Sequence, residues 1–435
     1  MQLTKLACNC SPSLCFHTYR FISSLLYKTH SSKYIFEIIS CVFSYSNNSY
    51  ICFKDLQASL MASHNLFERD INPVLFAENS YTRKVTLNRP QKLNSLTYEM
   101  ISQIGAALRV YEDDSKIKFV IFKGKGKAFC AGGDVVRVVQ YSIAGHWSFA
   151  AKFYQKQLCL DYLLATYKKP LVYLINGIIM GGGAGLSMFG TFRIVTEHTV
   201  FAMPEASIGL FPDVGATCFL SRLPGYFGEY LGLTGARING IEMLACGLAT
   251  HFVLSKDLQP LEDALCELVA ADTLTISKLV SKFIYKGHAK QDSFHKRVEI
   301  INKCFSRKTV EEILSSLEEE METGTDKWIV EAISSLKSAS PTSLKITLRS
   351  IREGRVLKLE HCLSREFTLC RHFMRRTVNN DFYEGARAML IDKDKKPKFV
   401  TSIKRCHEST AQQKLSAHTE KIGSLHNYGK SVKKW

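Results

Sequence analysis

Short apolar runs alternate with stretches of helical spacing from residue 73 to about residue 260. Lys84-Val-Thr-Leu87 reads as a short strand. The segment 94–108 places Leu96, Ile101, Ile104 and Leu108 on one helical face. Lys118-Phe-Val-Ile-Phe122 has the composition of a buried strand and stops at Gly124 and Gly126. Leu171-Val-Tyr-Leu-Ile175, closed by Asn176-Gly177, and Phe192-Arg-Ile-Val195 are two more strands. Strands that alternate with helices predict an α/β domain, assigned here to residues 70–260.

Beyond residue 260 the strand signal fades. Thr309-Val-Glu-Glu312 has the form of a capping box, and Ile313, Leu314, Leu317 and Met321 then follow one helical face. Ile329, Ala332, Ile333 and Leu336 mark a second helix, and Leu344, Leu348 and Ile351, after Ser340-Pro341, a third. Residues 261–399 are therefore expected to be mostly helical.

Neither end keeps this patterning. Residues 1–60 have Glu37 and Asp55 as their only acids and Arg20 as their only arginine. They resemble a weak targeting segment or an N-terminal extension. Met61-Ala-Ser-His reads as an internal start, so the working chain is expected to begin near it. Residues 400–435 are basic and read as a disordered tail.

Composition narrows the function classes. The 435 residues are 46% hydrophobic and 22% charged, as in a soluble globular protein. No apolar run approaches the roughly 18 residues of a membrane span. The formal charge of +17 suits a solvated basic surface, a phosphorylated ligand such as coenzyme A, or another polyanion. The 14 cysteines form no Cys-x-x-Cys pair, which argues against a zinc site and for reduced thiols in an intracellular compartment. The mitochondrion is favoured there over the peroxisome or cytosol.

Candidate chemistry gathers in three segments. Gly181-Gly-Gly-Ala-Gly185 opens an apolar helical run. It lacks a following Gly-Lys-Ser/Thr and the Gly-x-Gly-x-x-Gly spacing, so it is not a nucleotide loop. Ser187 is not in a Gly-x-Ser-x-Gly elbow. What remains is a helix start able to aim backbone N–H groups at a developing oxyanion, or simply close packing. Phe129-Cys-Ala-Gly-Gly-Asp134 offers a second such turn, with Asp134 as a local acceptor. Met203-Pro-Glu-Ala-Ser-Ile-Gly-Leu-Phe-Pro-Asp213 supplies two carboxylates, Glu205 and Asp213, for base or nucleophile work; as structural residues they would cap and turn the chain. Cys130 and Cys159 read as buried thiols rather than nucleophiles.

Together with Val85-Thr-Leu-Asn-Arg-Pro90, Leu93-Asn-Ser-Leu96 and Gly177-Ile-Ile-Met-Gly-Gly-Gly183, these segments resemble the crotonase (enoyl-CoA hydratase/isomerase) superfamily over residues 70–260. Gly209-Leu-Phe-Pro-Asp-Val-Gly215, Phe219-Leu-Ser-Arg-Leu-Pro224 and Glu229-Tyr-Leu-Gly-Leu-Thr-Gly-Ala-Arg237 are similar to the plant-type 3-hydroxyisobutyryl-CoA hydrolases. So are Ser343-Leu-Lys-Ile-Thr347 and Gly385-Ala-Arg-Ala-Met-Leu-Ile-Asp-Lys-Asp394, which extend the likeness to residue 399.

The resemblance implies an α/β fold: a ββα spiral core with a mostly helical C-terminal region. It implies an acyl-CoA thioesterase acting on 3-hydroxyisobutyryl-CoA in valine catabolism. The oxyanion donors would be the N–H groups of Gly133 and Gly182. Glu205 would act as nucleophile or general base, and Asp213 would bind the 3-hydroxyl or assist proton transfer. Arg89, Lys92 and Lys123 would suit the coenzyme A phosphates. Gln157 stands where these hydrolases carry a substrate-site glutamate. Hydratases place a second glutamate where this chain has Gly185. No metal or redox cofactor is expected, coenzyme A entering with the substrate; a nucleic-acid partner is disfavoured and self-association is left open. The rivals are an enoyl-CoA hydratase or isomerase and a non-catalytic, RNA-binding crotonase scaffold.

Overall fold

The computed structural model describes residues 72–399, apart from 145, 270, 271, 288–290 and 325. The segments expected at 1–60 and 400–435 lie outside the described residues. The strands form two sheets. One has the order β1 (Val74–Asn79), β2 (Thr82–Leu87), β3 (Phe119–Gly124), β5 (Leu171–Ile175), β7 (Phe192–Val195), β10 (His251–Phe252). The other runs β4 (Ala128–Cys130), β6 (Ile178–Met180), β8 (Val200–Ala202), β9 (Ile238–Asn239). The hairpin β1–β2 is antiparallel, and from β2 to β10 the large sheet is parallel.

A strand–strand–helix repeat builds these sheets. In β3–β4, β5–β6 and β7–β8 the first strand joins the large sheet and the second the small one. The first pair leads into α2 (Val135–Ala144) and α3 (Trp147–Ala165), after α1 (Tyr98–Asp113) has covered the sheet. The second pair leads into α4 (Gly182–Ser187), and the third into a 3-10 turn, Glu205–Ile208. Each repeat thus ends where a β4-, β6- or β8-type strand releases its chain at one edge of the small sheet. The site lies there.

Strand alternation separates two apolar cores. Val120 and Phe122 of β3 face Met100 and Ile104 of α1, whereas Phe119 and Ile121 face the opposite way. After α5 (Ala216–Phe219), α6 (Phe227–Thr234) and α7 (Gly240–Ala245), that second face is covered by α8 (Leu258–Cys266) and α9 (Thr273–Ser281). Helix α1 begins later than its apolar spacing suggests. Leu93 and Asn94 are left-handed, with φ of 51° and 56°, and Thr97 caps the helix by accepting from Met100 N–H.

The C-terminal region is helical: α10 (Gln291–Phe305), α11 (Val310–Thr323), α12 (Lys327–Ser338), α13 (Pro341–Gly354), α14 (Leu359–Met374) and α15 (Asp381–Ala386). The expected capping box forms between Thr309 and Glu312. Ile313 and Leu317 are buried, but Met321 is exposed; it falls in the last turn of α11, past the covered face. Ser340 caps α13 and Pro341 takes its first position. One apolar core runs from Val74 to Ala386, so the helical region completes the α/β core rather than forming a second one. Helix α14 packs on α3, and α15 packs on the turn Glu205–Ile208. Gly209 and Gly385 permit that second contact, since a Cβ at either would collide with backbone across it.

Candidate active site

Strands β4 and β6 are parallel neighbours, so the turns that follow them lie side by side. The first is Ala131-Gly132-Gly133-Asp134 and the second is Gly181-Gly182, the start of α4. Gly132 has φ of 110° and Gly181 φ of 47°, conformations that side chains resist. A Cβ at Gly182 would lie 3.1 Å from the nitrogen of Gly133. Among the described residues the N–H groups of Gly133 and Gly182 donate to no protein acceptor, whereas those of Asp134 and Ala184 donate to Leu96 O at 2.8 Å and Gly181 O at 2.8 Å. Gly182 is buried and Gly133 half-buried; backbone donors shielded from water are nearly always paired, so two uncommitted ones in adjacent turns are a polar feature open to an acceptor.

The residues before α1 brace this feature. Asn94 donates to Ala128 O at 2.8 Å and to Lys125 O at 3.0 Å. Ala131 N–H donates to Leu93 O at 2.9 Å, and Leu96 N–H to Gly132 O at 2.7 Å. Arg89 is fully buried; its guanidinium donates to Ser95 O and pairs with Asp134 at 3.1 Å. The expectation that Arg89 contributes to a basic phosphate-facing surface is therefore corrected: a buried guanidinium needs a counter-charge, and Asp134 supplies it. Lys123 is corrected too. It lies on the far face of the large sheet, where Glu262 of α8 takes both Lys123 and Lys84 as partners. Lys92 is exposed in the short turn Pro90–Lys92, beside the braced loops.

Glu205 opens the 3-10 turn after β8 and is 6% exposed. Its Oε1 would lie 2.6 Å from a Cβ placed on Gly181, so the carboxyl rests against the second glycine turn. Its Oε2 is buried with no hydrogen-bond partner. Asp213 is 4% exposed, and its Oδ2 accepts from the Cys370 thiol of α14 at 3.8 Å. Burial, and next the charge of Asp213, hold the Glu205 carboxyl well above the usual carboxylate range. Burial pushes Asp213 up to about 7, against its own backbone N–H and the Cys370 thiol. Two buried carboxyls, one raised by the charge of the other, resist ionising together.

Gln157 is buried on α3, and its Nε2 donates to Asp161 Oδ1 at 2.8 Å. Its Oε1 keeps no partner, so the amide presents an acceptor and no base. Burial raises Asp161 well above the usual carboxylate range despite that bond. Tyr154, also on α3, is fully buried; burial first, then the charges of Asp213, Cys370 and Glu205, push its phenol up, so it stays a neutral donor.

Sequence patterning missed the groups that the C-terminal helices bring. Glu366 accepts Gly215 N–H at 2.7 Å and Thr217 N–H at 2.9 Å, on the turn just after Asp213. Tyr383 of α15 donates to Met374 O at 2.9 Å and shares a hydrogen bond with Ser142. The available signal for Glu366 was a carboxylate on the apolar stripe of α14, with Cys362, Leu369, Cys370 and Phe373. Among the described residues no cluster of His, Cys, Asp and Glu has the arrangement of a metal site.

Residues 82–415 match the family described as enoyl-CoA hydratase/isomerase. The chain is 53% identical over 326 residues to the probable 3-hydroxyisobutyryl-CoA hydrolase 3 of Arabidopsis thaliana, covering 75% of this chain and 86% of that protein. It is 40% identical over 326 residues to the small ribosomal subunit protein mS47 of the same organism, covering 75% and 80%. A carnitinyl-CoA dehydratase from Mycobacterium thermoresistibile shares the fold with a TM-score of 0.72 at 29% identity, covering 79% of this chain and 96% of that one.

Proposed function

The chain belongs to the enoyl-CoA hydratase/isomerase family, among the 3-hydroxyisobutyryl-CoA hydrolases, and from that premise we propose that it hydrolyses 3-hydroxyisobutyryl-CoA to 3-hydroxyisobutyrate and coenzyme A. The observation that carries this reading is the pairing of two uncommitted N–H groups, of Gly133 and Gly182 in adjacent turns, with the buried carboxyl of Glu205 against the second of those turns. A thioester carbonyl oxygen placed between the two donors becomes an oxyanion when its carbon is attacked. Losing one such donor costs roughly 3–4 kcal/mol of transition-state stabilisation. Ionised Glu205 supplies the attacking oxygen, its own or that of a water it deprotonates. The carbon–sulfur bond then breaks, and the proton of the Glu205–Asp213 pair is available to the leaving thiolate. Water provides the second oxygen of the product acid by either route. Asp213 and the Gln157 amide oxygen are acceptors for the substrate's 3-hydroxyl. Lys92, an exposed cation beside the braced loops, pairs with a coenzyme A phosphate.

Gly185 favours hydrolysis over hydration. A Cβ there would lie 2.5 Å from the Val214 side chain and 2.9 Å from Val214 O. A hydratase's second glutamate therefore has no room unless the turn after Asp213 moves. The likeness to a ribosomal protein raises the scaffold reading, but a scaffold has no need of a buried carboxyl set against a turn whose backbone donor is uncommitted. The test offers the purified chain 3-hydroxyisobutyryl-CoA and crotonyl-CoA. Free coenzyme A from the first, without hydration of the second, supports the proposal. Hydration alone supports a hydratase, and neither activity together with tight RNA binding supports a scaffold.

A further inference from the structure

We infer that Glu366 is a positioning residue for Asp213: a carboxyl supplied by a distant helix that fixes the turn on which Asp213 stands. The inference rests on the hydrolase reading and adds to it a residue that touches no substrate.

The turn after Asp213 is an unfavourable piece of backbone. Val214 is left-handed at φ 56° without being glycine, and Gly215 follows at φ 82°. A non-glycine residue persists in that region only where its surroundings over-determine it. Local bonding supplies one tie, from Ala216 N–H to Asp213 O at 2.9 Å. The short helix α5 then begins with its first N–H groups exposed to capping, and Gly215 has no side chain to cap them. Glu366, from 151 positions away along the chain, accepts two of these donors, one on each carboxyl oxygen. It is fully buried there. The two donors favour its ionised form and burial opposes it; burial prevails, and the carboxyl is pushed up to about 8.

Helix α14 meets the turn a second time. Cys370, one helical turn beyond Glu366, touches Asp213 itself. The same helix face thus holds the backbone beyond the carboxylate and abuts its oxygen. The helix is in turn packed along α3, which carries Tyr154 and Gln157. Without Glu366, two buried N–H groups lose their acceptor, and the strained turn is free to relax toward ordinary φ. Val214 fills the space beside Gly185, so relaxation there moves Asp213 relative to Glu205 and α4. A displacement of about 1 Å in a catalytic arrangement can lower the rate roughly 100-fold.

The experiment compares three full-length variants with the wild type. Glu366→Gln keeps volume but turns one acceptor into a donor facing an N–H. Glu366→Asp keeps two acceptors on a shorter arm. Glu262→Gln is the control: a buried carboxylate on the far face of the large sheet, paired with Lys84 and Lys123. Glu366→Gln is expected to lower kcat for 3-hydroxyisobutyryl-CoA about 10- to 100-fold with KM changed less than about threefold, and Glu366→Asp to recover part of the loss. Glu262→Gln should lower Tm and leave kcat in place. Hydrogen exchange in the peptide spanning 213–217 should quicken in Glu366→Gln while peptides of β5 and α1 are unchanged. Wild-type kcat with wild-type exchange in Glu366→Gln would overturn the inference; so would a kcat loss that merely tracks Tm across both glutamines. If the wild type releases no coenzyme A, the hydrolase reading fails, and the exchange comparison still decides whether Glu366 holds the turn.

Discussion

The three glycine turns around the carboxylates treat their backbone donors in opposite ways. At Gly133 and Gly182 the N–H groups are left without an acceptor; at Gly215 and Thr217 they are both taken by Glu366. The first two turns belong to the α/β layers, and that of Gly133 is braced from behind by Arg89 and Asn94. The third is held from across the chain by α14. An unsatisfied donor shielded from water costs stability, and two left open side by side suit a ligand that supplies the acceptor. A satisfied pair in a strained turn keeps a side chain in place. The first two turns are therefore suited to binding charge as it develops, and the third to aiming Asp213.

Glu205→Gln should have the largest effect on this contrast. It removes the carboxyl that rests against the Gly181 turn but leaves the donors themselves. Turnover of 3-hydroxyisobutyryl-CoA should fall roughly 1,000-fold or more, while coenzyme A binding by calorimetry stays near wild type. Gly182→Pro comes next. It deletes one donor, and its ring also crowds the Gly133 nitrogen, 3.1 Å from a Cβ at this position, so kcat should fall by at least about 100-fold. A smaller loss would mean that the Gly182 N–H is not aimed at the oxyanion.

Asp213→Asn tests the third turn through pH. Glu205 must be ionised to attack, so kcat/KM should be lost as pH falls through the raised range in which its carboxyl titrates. Removing the Asp213 charge removes a force that raises Glu205. The acid limb of the variant should therefore move to lower pH, with a reduced plateau; an unmoved limb would uncouple the two carboxyls. The smallest effects distinguish the lysines. Lys92→Ala should raise KM a few-fold, less so in high salt. Lys123→Ala should leave KM alone and change stability by no more than about 1 kcal/mol, as expected of a partly exposed pair.

The legible parts of this chain were those whose cause is local. The strands Leu171–Ile175 and Phe192–Val195 and the Thr309 capping box follow from neighbours in sequence. The glycine clusters and both carboxylates were visible for the same reason, since each is a compact motif. The helix expected from residue 94 begins instead at Tyr98, because Asn94 uses its side chain on Ala128 and Lys125. Arg89 and Lys123 looked like surface cations because charge says nothing about burial; their partners, Asp134 and Glu262, are 45 and 139 residues away. Glu366 was hidden for the same physical reason, as its acceptors matter only once α14 has docked. The short strands β8 and β9 carry too few residues for an alternation to be read.

The central claim is thioester hydrolysis driven by Glu205 beside the donors of Gly133 and Gly182. Its most direct test is the rate of free coenzyme A release from 3-hydroxyisobutyryl-CoA, measured side by side for the wild type and Glu205→Gln at equal folded concentration. The account predicts steady release by the wild type and none above background by the variant. Equal release by the two proteins, or none by the wild type, would contradict it.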